Sequence, residues 1–244
     1  MDTRAKHPAL ILFALALLTG TGAAQEHRVP SGAETTARVE PLVRFHEVIF
    51  PMWHDAWPNR NTEKLRSLLP EVKEGIAAIA SADLPGILRE KKGAWDRGVA
   101  DLTTAGEAYA QAAAANDTEA LLGAAEKLHA RYEALARVLR PALKELEDFH
   151  RTLYVLYHYE LPAGAMDRIR LSVDTLNTKL EALNRAVIPA RMKEKTEAFT
   201  AARLSLGKSL AELDALLAKG DDAAIRSAVI AMHGKYEALS AVFD

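Results

Sequence analysis

The sequence predicts an all-α protein built as a tandem repeat of two up-down-up-down four-helix bundles, and three observations lead to this prediction. Alanine, leucine and other strong helix formers supply most of the 49% hydrophobic content, and β-branched runs are few. Apolar residues recur at three- and four-residue spacings, as on the buried face of a helix. The chain also repeats itself, because LHARYEAL from Leu128 returns as MHGKYEAL from Met232, 104 residues later. A period this long indicates two copies of a whole module.

The repeat extends without a gap over most of the chain. At the same offset, FHEVIFPMWHDAWP from Phe45 aligns with FHRTLYVLYHYELP from Phe149. Each module of roughly 100 residues is long enough to bury its own core. We therefore divide the chain into a first repeat, 39–140, and a second repeat, 141–244.

The residues before the first repeat resemble an export signal followed by a linker. Residues 1–24 have a basic start, about ten apolar residues and a small-residue cleavage site, as in a signal peptide. Residues 25–38 are polar and predict a disordered lead-in. We expect a periplasmic or secreted protein. No later segment is long and apolar enough for stable membrane insertion.

The hydrophobic spacing predicts four helices in the first repeat, over residues 39–56, 62–81, 85–114 and 118–139. Pro51 allows a kink in the first of them, and Pro70 weakens the prediction for the second. Asp117 is placed to cap the fourth.

The second repeat predicts the same pattern, with helices over residues 141–160, 166–187, 189–219 and 221–242. Gly220 and Asp221 are expected to supply the last turn and cap. Four amphipathic helices with short loops favour an up-down-up-down bundle in each repeat.

Composition and motifs exclude several function classes. The net charge of −2 and the absence of a basic stripe argue against nucleic-acid binding. The chain has no cysteine, so it has neither disulfides nor thiolate ligands. No hydrolase, P-loop or dinucleotide-binding motif is present, so the sequence does not predict an enzyme.

The strongest chemical signal is a set of three histidines that both repeats retain: His46 with His150, His54 with His158, and His129 with His233. In a bundle, the start of the first helix lies beside the end of the fourth. The first and third histidines of each repeat then face each other at levels that differ by roughly 3 Å.

A carboxylate accompanies each facing pair. Glu133 and Glu237 follow His129 and His233 by four residues and so lie on the same helix face. Two imidazoles and a carboxylate suit zinc or copper. The predicted metal ligands are His46, His129 and Glu133 in the first repeat and His150, His233 and Glu237 in the second.

His54 and His158 differ from the other repeated histidines. Each lies eight residues beyond the first histidine of its repeat, about 12 Å along the helix, which places it too far away to join the same ion. They are expected to stabilise the carbonyl end of the helix or to form a second metal site.

The stretches around His129 and His233 resemble the last helix of cytochrome c-prime and of the b-type four-helix-bundle cytochromes. The histidine and the following Tyr132 or Tyr236 fit that pattern, but the chain lacks the cysteines that attach haem. The resemblance therefore implies non-covalent haem b, with no covalent haem. His46 or His150 would replace the methionine ligand of the b-type relatives and give bis-histidine ligation.

Three functions remain open from the sequence. The first is an exported helical-bundle protein that binds a transition-metal ion, of the zinc or copper type, in each repeat. The second is a cytochrome-like protein that binds haem through His46 with His129 and through His150 with His233. The third is a structural or protein-interaction module whose histidines belong to the core.

Overall fold

The structure, a computed structural model, describes residues 30–115, 117–140 and 142–243. The described residues are helical with no strand, so the all-α prediction is confirmed. None of their helices is long and apolar enough to cross a bilayer. The predicted signal peptide lies outside the described residues.

Nine α-helices appear in the described residues: α1 Glu40–Pro51, α2 Thr62–Ser67, α3 Leu69–Ala80, α4 Lys92–Ala115, α5 Thr118–Leu139, α6 Lys144–Val155, α7 Met166–Arg185, α8 Thr196–Lys219 and α9 Asp222–Ser240. Shorter helical segments extend some of them: the π-helical Met52–Ala56 and Leu156–Glu160, and the 3₁₀-helical Gly86–Lys91, Ala190–Lys195 and Ala241–Phe243.

Side-chain caps begin three of the helices. Asn61 accepts a hydrogen bond from the backbone N–H of Lys64, at the start of α2. Asp117 and Asp221 cap α5 and α9 in the same way, which confirms both predicted caps. Gly220 ends α8 in the left-handed conformation, with φ of 75°, as glycine permits.

The helix predicted over residues 62–81 is broken in two. Leu68 interrupts it, and Pro70, which has no N–H to donate, lies in the first turn of α3. The buried Tyr109 hydroxyl donates to the carbonyl of Leu65 beside this break. The second repeat has Asp174 in place of Pro70, and there α7 is continuous.

Other departures from the predicted helices recur in both repeats. The segments that follow Pro85 and Pro189 begin as 3₁₀-helix, and the first helix of each repeat ends in a π-helical turn. That turn contains His54 in the first repeat and His158 in the second. It forms after Pro51 and equally after Val155, so the proline is not its cause.

The buried apolar residues form two hydrophobic cores. One lies between Val39 and Leu139 in the sequence and the other between Leu143 and Leu239. Tyr154 is the exception, since it belongs to α6 but is fully buried against the first core. The two cores therefore meet at this tyrosine.

The described part of the predicted lead-in contacts both repeats. Glu34 accepts hydrogen bonds from the hydroxyls of Tyr154, at 3.0 Å, and Tyr159. Its backbone carbonyl accepts one from the N–H of Ile87, also at 3.0 Å. Disorder was predicted over residues 25–38, but from Pro30 onward the chain is held by these polar contacts.

Candidate metal centre

A cluster of three histidines and one glutamate lies where the two cores meet. Glu90 belongs to the 3₁₀ segment Gly86–Lys91 of the first repeat. His150 lies on α6, His158 on the π-helical turn that extends α6, and His233 on α9. The first repeat thus supplies the carboxylate and the second repeat supplies the imidazoles.

Glu90 lies between two imidazoles. Its Oε2 is 3.4 Å from Nε2 of His150, and its Oε1 is 3.4 Å from Nε2 of His233. Both histidines are buried, each with 6% of its surface exposed. At 3.4 Å both contacts are long for hydrogen bonds, and the buried Nε2 atoms of His150, His158 and His233 make no shorter one. Buried nitrogens with such distant partners are uncommon in folded proteins and can accept a further one.

His158 lies with Glu90 and His233, a group that the sequence analysis did not predict. One ligand atom each from Glu90, His158 and His233 lies within 4.8 Å of the others. The rings of His158 and His233 are 5.8 Å apart, edge to face. His150 is not part of this group, so the predicted separation of His150 and His158 along one helix is not contradicted. His158 instead meets His233, which lies on another helix.

Aromatic side chains hold two of the imidazoles. The His150 ring stacks on Tyr236, with centroids 4.4 Å apart, and the His233 ring stacks on Tyr157 at 3.9 Å. Stacking of each ring on one tyrosine restricts its rotation and helps to keep the cluster in one arrangement.

Glu237 contacts the outer nitrogen of His233. Its Oε1 lies 3.6 Å from Nδ1, while Nε2 faces Glu90. A carboxylate at Nδ1 favours the tautomer that leaves the Nε2 lone pair free for a metal ion. The structure therefore places Glu237 behind His233, whereas the sequence analysis placed it among the ligands.

Arg89 contacts the outer nitrogen of His158, where its guanidinium lies 3.1 Å from Nδ1. Since arginine can only donate, Nδ1 accepts and the proton of the neutral ring lies on Nε2. Burial and the Arg89 charge lower the pKa of His158 to about 4. The ring is therefore neutral near pH 7, but Nε2 must lose its proton before it can bind a metal ion.

The carboxylate of Glu90 is ionised over the ordinary pH range. Burial alone would raise its pKa, but the contacts with His150 and His233 outweigh burial and lower the pKa to about 2. A partly exposed anion beside buried imidazole nitrogens is an environment that a cation can enter from solvent.

The first-repeat residues are arranged differently. His46 and His54 are exposed, and the His46 ring lies 6.1 Å from Tyr132. The His129 ring stacks on Trp53 at 4.1 Å, and Glu133 pairs with Arg137 at 3.9 Å. Among the described residues of this repeat, no three metal-ligating side chains converge.

Sequence analysis missed Glu90, although the repeat contains a signal for it. Glu90 and Glu194 occupy equivalent positions, five residues after Pro85 and Pro189. Helix periodicity predicts which histidines of one repeat lie on neighbouring helix faces. It could not show that a carboxylate of one repeat reaches the imidazoles of the other.

The spacing of the cluster suits a small transition-metal ion. Bonds of about 2.0–2.1 Å to a tetrahedral zinc separate neighbouring ligand atoms by roughly 3.3 Å. Oε1 of Glu90 lies 3.4 Å from Nε2 of His233, and the ligand atoms of Glu90, His158 and His233 all lie within 4.8 Å of one another. Imidazole nitrogen and carboxylate oxygen also suit copper(II) and other borderline ions.

Comparison of the chain with protein families, with curated proteins and with solved structures found no match.

Proposed function

We propose that the chain binds a transition-metal ion, zinc(II) or copper(II), at the junction of its two repeats. Glu90, His158 and His233 are the proposed ligands. The observation that carries this proposal is the convergence of one ligand atom each from Glu90, His158 and His233 within 4.8 Å of one another, with the two imidazole Nε2 atoms buried and making no short hydrogen bond. Three protein ligands leave one coordination position for water or for an exchangeable ligand.

Two further residues position these ligands. His150 contacts Oε2 of Glu90 and would orient the carboxylate, while Oε1 faces His233. Glu237 would orient the His233 ring through Nδ1. Such supporting partners commonly change metal affinity by roughly 10- to 100-fold.

The packing favours an ion over the haem alternative. Bis-histidine haem ligation needs a wide flat slot between two imidazoles. Here Glu90 lies between the Nε2 atoms of His150 and His233, and tyrosines stack on both rings. An ion fits this arrangement without displacing the carboxylate.

The remaining parts of the proposal concern architecture and location. Two tandem four-helix bundles are supported by the two separate cores and by the repeated order of helices. Export to the periplasm or the outside is supported by the signal-like residues 1–24. Storage, delivery or sensing of the ion would then take place outside the cytoplasm.

The test is a metal titration of the full mature chain by calorimetry, with elemental analysis of the dialysed protein. We expect tight, stoichiometric binding of zinc(II) or copper(II). Glu90→Gln and His233→Gln should each weaken it by more than the roughly 100-fold limit for a supporting residue. Glu237→Gln and His150→Gln should weaken it less.

Glu126→Gln is the matched control for Glu90→Gln, because Glu126 is exposed on α5 and is not part of the cluster. Bound metal should also raise the free energy of unfolding, by about 2.7 kcal/mol when free metal is 100 times Kd. Equal binding by wild type, Glu90→Gln and His233→Gln would refute the site, as would no binding by folded wild type.

A further inference from the structure

The same face of the first helix is covered in one repeat and open in the other. In the second repeat this face carries His150, Tyr154 and His158. Tyr154 is fully buried against the 3₁₀ segment Gly86–Lys91 and Glu34 of the first repeat. In the first repeat the equivalent residues are His46, Phe50 and His54, and all three are exposed, Phe50 by 53%.

The covering segment has an uncovered counterpart as well. Gly86–Lys91 corresponds to Ala190–Lys195 in the second repeat, and both form a 3₁₀-helix after a proline. Glu194, the equivalent of Glu90, is exposed; Glu90 is exposed as well, but it contacts His150 and His233. Nearby Val187 is 85% exposed.

The two uncovered surfaces differ from the covered pair at two facing positions, where Ala190 replaces Gly86 and Phe50 replaces Tyr154. A Cβ added to Gly86 would lie 2.1 Å from the Tyr154 hydroxyl, so glycine is needed where that hydroxyl is present. At the equivalent positions the chain has Ala190 and Phe50. If the two uncovered surfaces met as the covered pair does, the methyl group of Ala190 would take the space that the missing hydroxyl leaves at Phe50.

Two ring contacts of the covered site recur in the first repeat, although His46 lies 6.1 Å from Tyr132 where His150 stacks on Tyr236 at 4.4 Å. His129 stacks on Trp53 at 4.1 Å, as His233 stacks on Tyr157 at 3.9 Å. Phe50 and His54 lie 4.6 Å apart between ring centroids, and their counterparts Tyr154 and His158 lie 4.7 Å apart. What the first repeat lacks is a covering segment with its carboxylate.

We infer that a second copy of this chain docks its Ala190–Lys195 segment on the open face formed by His46, Phe50 and His54. Glu194 of that second chain takes the position beside His129 that Glu90 takes beside His233. The contact repeats the one between the two repeats within a chain. It joins different surfaces of the two partners, so assembly proceeds head to tail and either closes into a ring or continues as a filament.

Sedimentation velocity of the full mature chain in a chelator tests the docking surface independently of metal. Wild type should form assemblies whose mass rises with concentration. Phe50→Asp and Ala190→Asp should each remain single chains, because each removes one of the two surfaces. Ile230→Asp is the control. Ile230 is 50% exposed, and its counterpart Glu126 lies outside the contact between the repeats.

Mixing the two single-chain variants gives the decisive result. Phe50→Asp retains an intact Ala190–Lys195 segment, and Ala190→Asp retains an intact open face. The mixture should therefore form a heterodimer that cannot grow further. A wild type that stays a single chain at every concentration, a Phe50→Asp variant that assembles normally, or a mixture without heterodimer would overturn the inference.

Completion of a second metal site rests on the proposed function and is measured separately. Assembled wild type should bind more zinc(II) per chain than Phe50→Asp, and Glu194→Gln should lose this extra binding. If Glu90→Gln and His233→Gln bind zinc(II) as tightly as wild type while the heterodimer forms, the proposed function is wrong and the docking surface is still supported. If assembled wild type binds no extra zinc although the Glu90 site binds, Glu194 does not complete a second site.

Discussion

Oε1 of Glu90 lies 3.4 Å from Nε2 of His233, and this contact joins the two repeats of the chain. The candidate metal centre therefore exists only while the repeats are docked. A ligand that binds only the docked form stabilises docking by mass action. Conversely, a substitution that destabilises docking lowers the affinity for the ligand. Interface residues that touch no ion should thus alter metal affinity.

Gly86 provides a test of this linkage. A Cβ at this position would lie 2.1 Å from the Tyr154 hydroxyl and 2.9 Å from Cγ of Glu34. Gly86→Ala should lower the free energy of unfolding by about 1–3 kcal/mol, as overpacking usually does. It should also weaken zinc binding, and urea unfolding with zinc titration would measure both effects.

The control is Gly123→Ala, which adds the same methyl group in α5 with no heavy atom within 4 Å. That variant should gain about 0.5–1 kcal/mol, since alanine favours helix over glycine. Equal zinc affinity in Gly86→Ala and Gly123→Ala would argue against linkage between docking and metal binding.

Arg89 should oppose metal binding. Its positive charge lies beside the cluster, and its contact at Nδ1 of His158 keeps a proton on Nε2. Arg89→Met should therefore tighten zinc binding, on the order of 10-fold. Calorimetric titration against Arg89→Lys separates charge from packing, because lysine keeps the charge. Similar tightening in both variants would contradict this electrostatic explanation.

His158 should titrate well below a normal histidine. Its pKa is about 4 in the folded protein, against 6.5 ordinarily, so the unfolded chain binds more protons between these pH values. The contribution of His158 to stability therefore falls as pH drops from about 6.5 to about 4. In His158→Gln, urea unfolding should show a flatter pH dependence in this window.

Nuclear magnetic resonance would follow the same imidazole directly. The His158 ring signal should titrate near pH 4 in wild type and at higher pH in Arg89→Met, because removal of a positive charge favours protonation. A midpoint near the ordinary value in wild type would contradict the burial and charge seen at this residue.

Local sequence rules predicted the helices better than they predicted the site. The limits of α5 match the predicted residues 118–139, because Asp117 supplies a cap that can be read directly from the sequence. His150 and His233 were paired by position along neighbouring helices, and both do contact Glu90. These inferences needed only spacing within one repeat.

The features that were missed depend on contacts across the chain. Glu90 joins His158 and His233 because the first repeat packs on the π-helical turn of the second; His158 was a candidate ligand, but its partner in the first repeat was not predicted. No periodicity specifies which repeat surfaces meet. The broken helix of the first repeat was signalled by Pro70, but the residue that satisfies the break lies far away in sequence, on α4.

Tyr109 is that residue, and it should stabilise the first repeat through its hydroxyl. The side chain is fully buried and donates to the carbonyl of Leu65 beside the break. Tyr109→Phe would leave this acceptor unpaired, so we expect a loss of about 1–3 kcal/mol in the free energy of unfolding. Urea denaturation would measure it.

A double-mutant cycle with Pro70→Asp tests the explanation. The second repeat has Asp174 and Leu213 where the first has Pro70 and Tyr109, and its helix α7 is continuous. Pro70→Asp should allow the first repeat to form a continuous helix in which Leu65 has a backbone donor. Tyr109→Phe should then be less destabilising than in wild type. An equal loss in both backgrounds would show that the hydroxyl does not compensate for the break at Pro70.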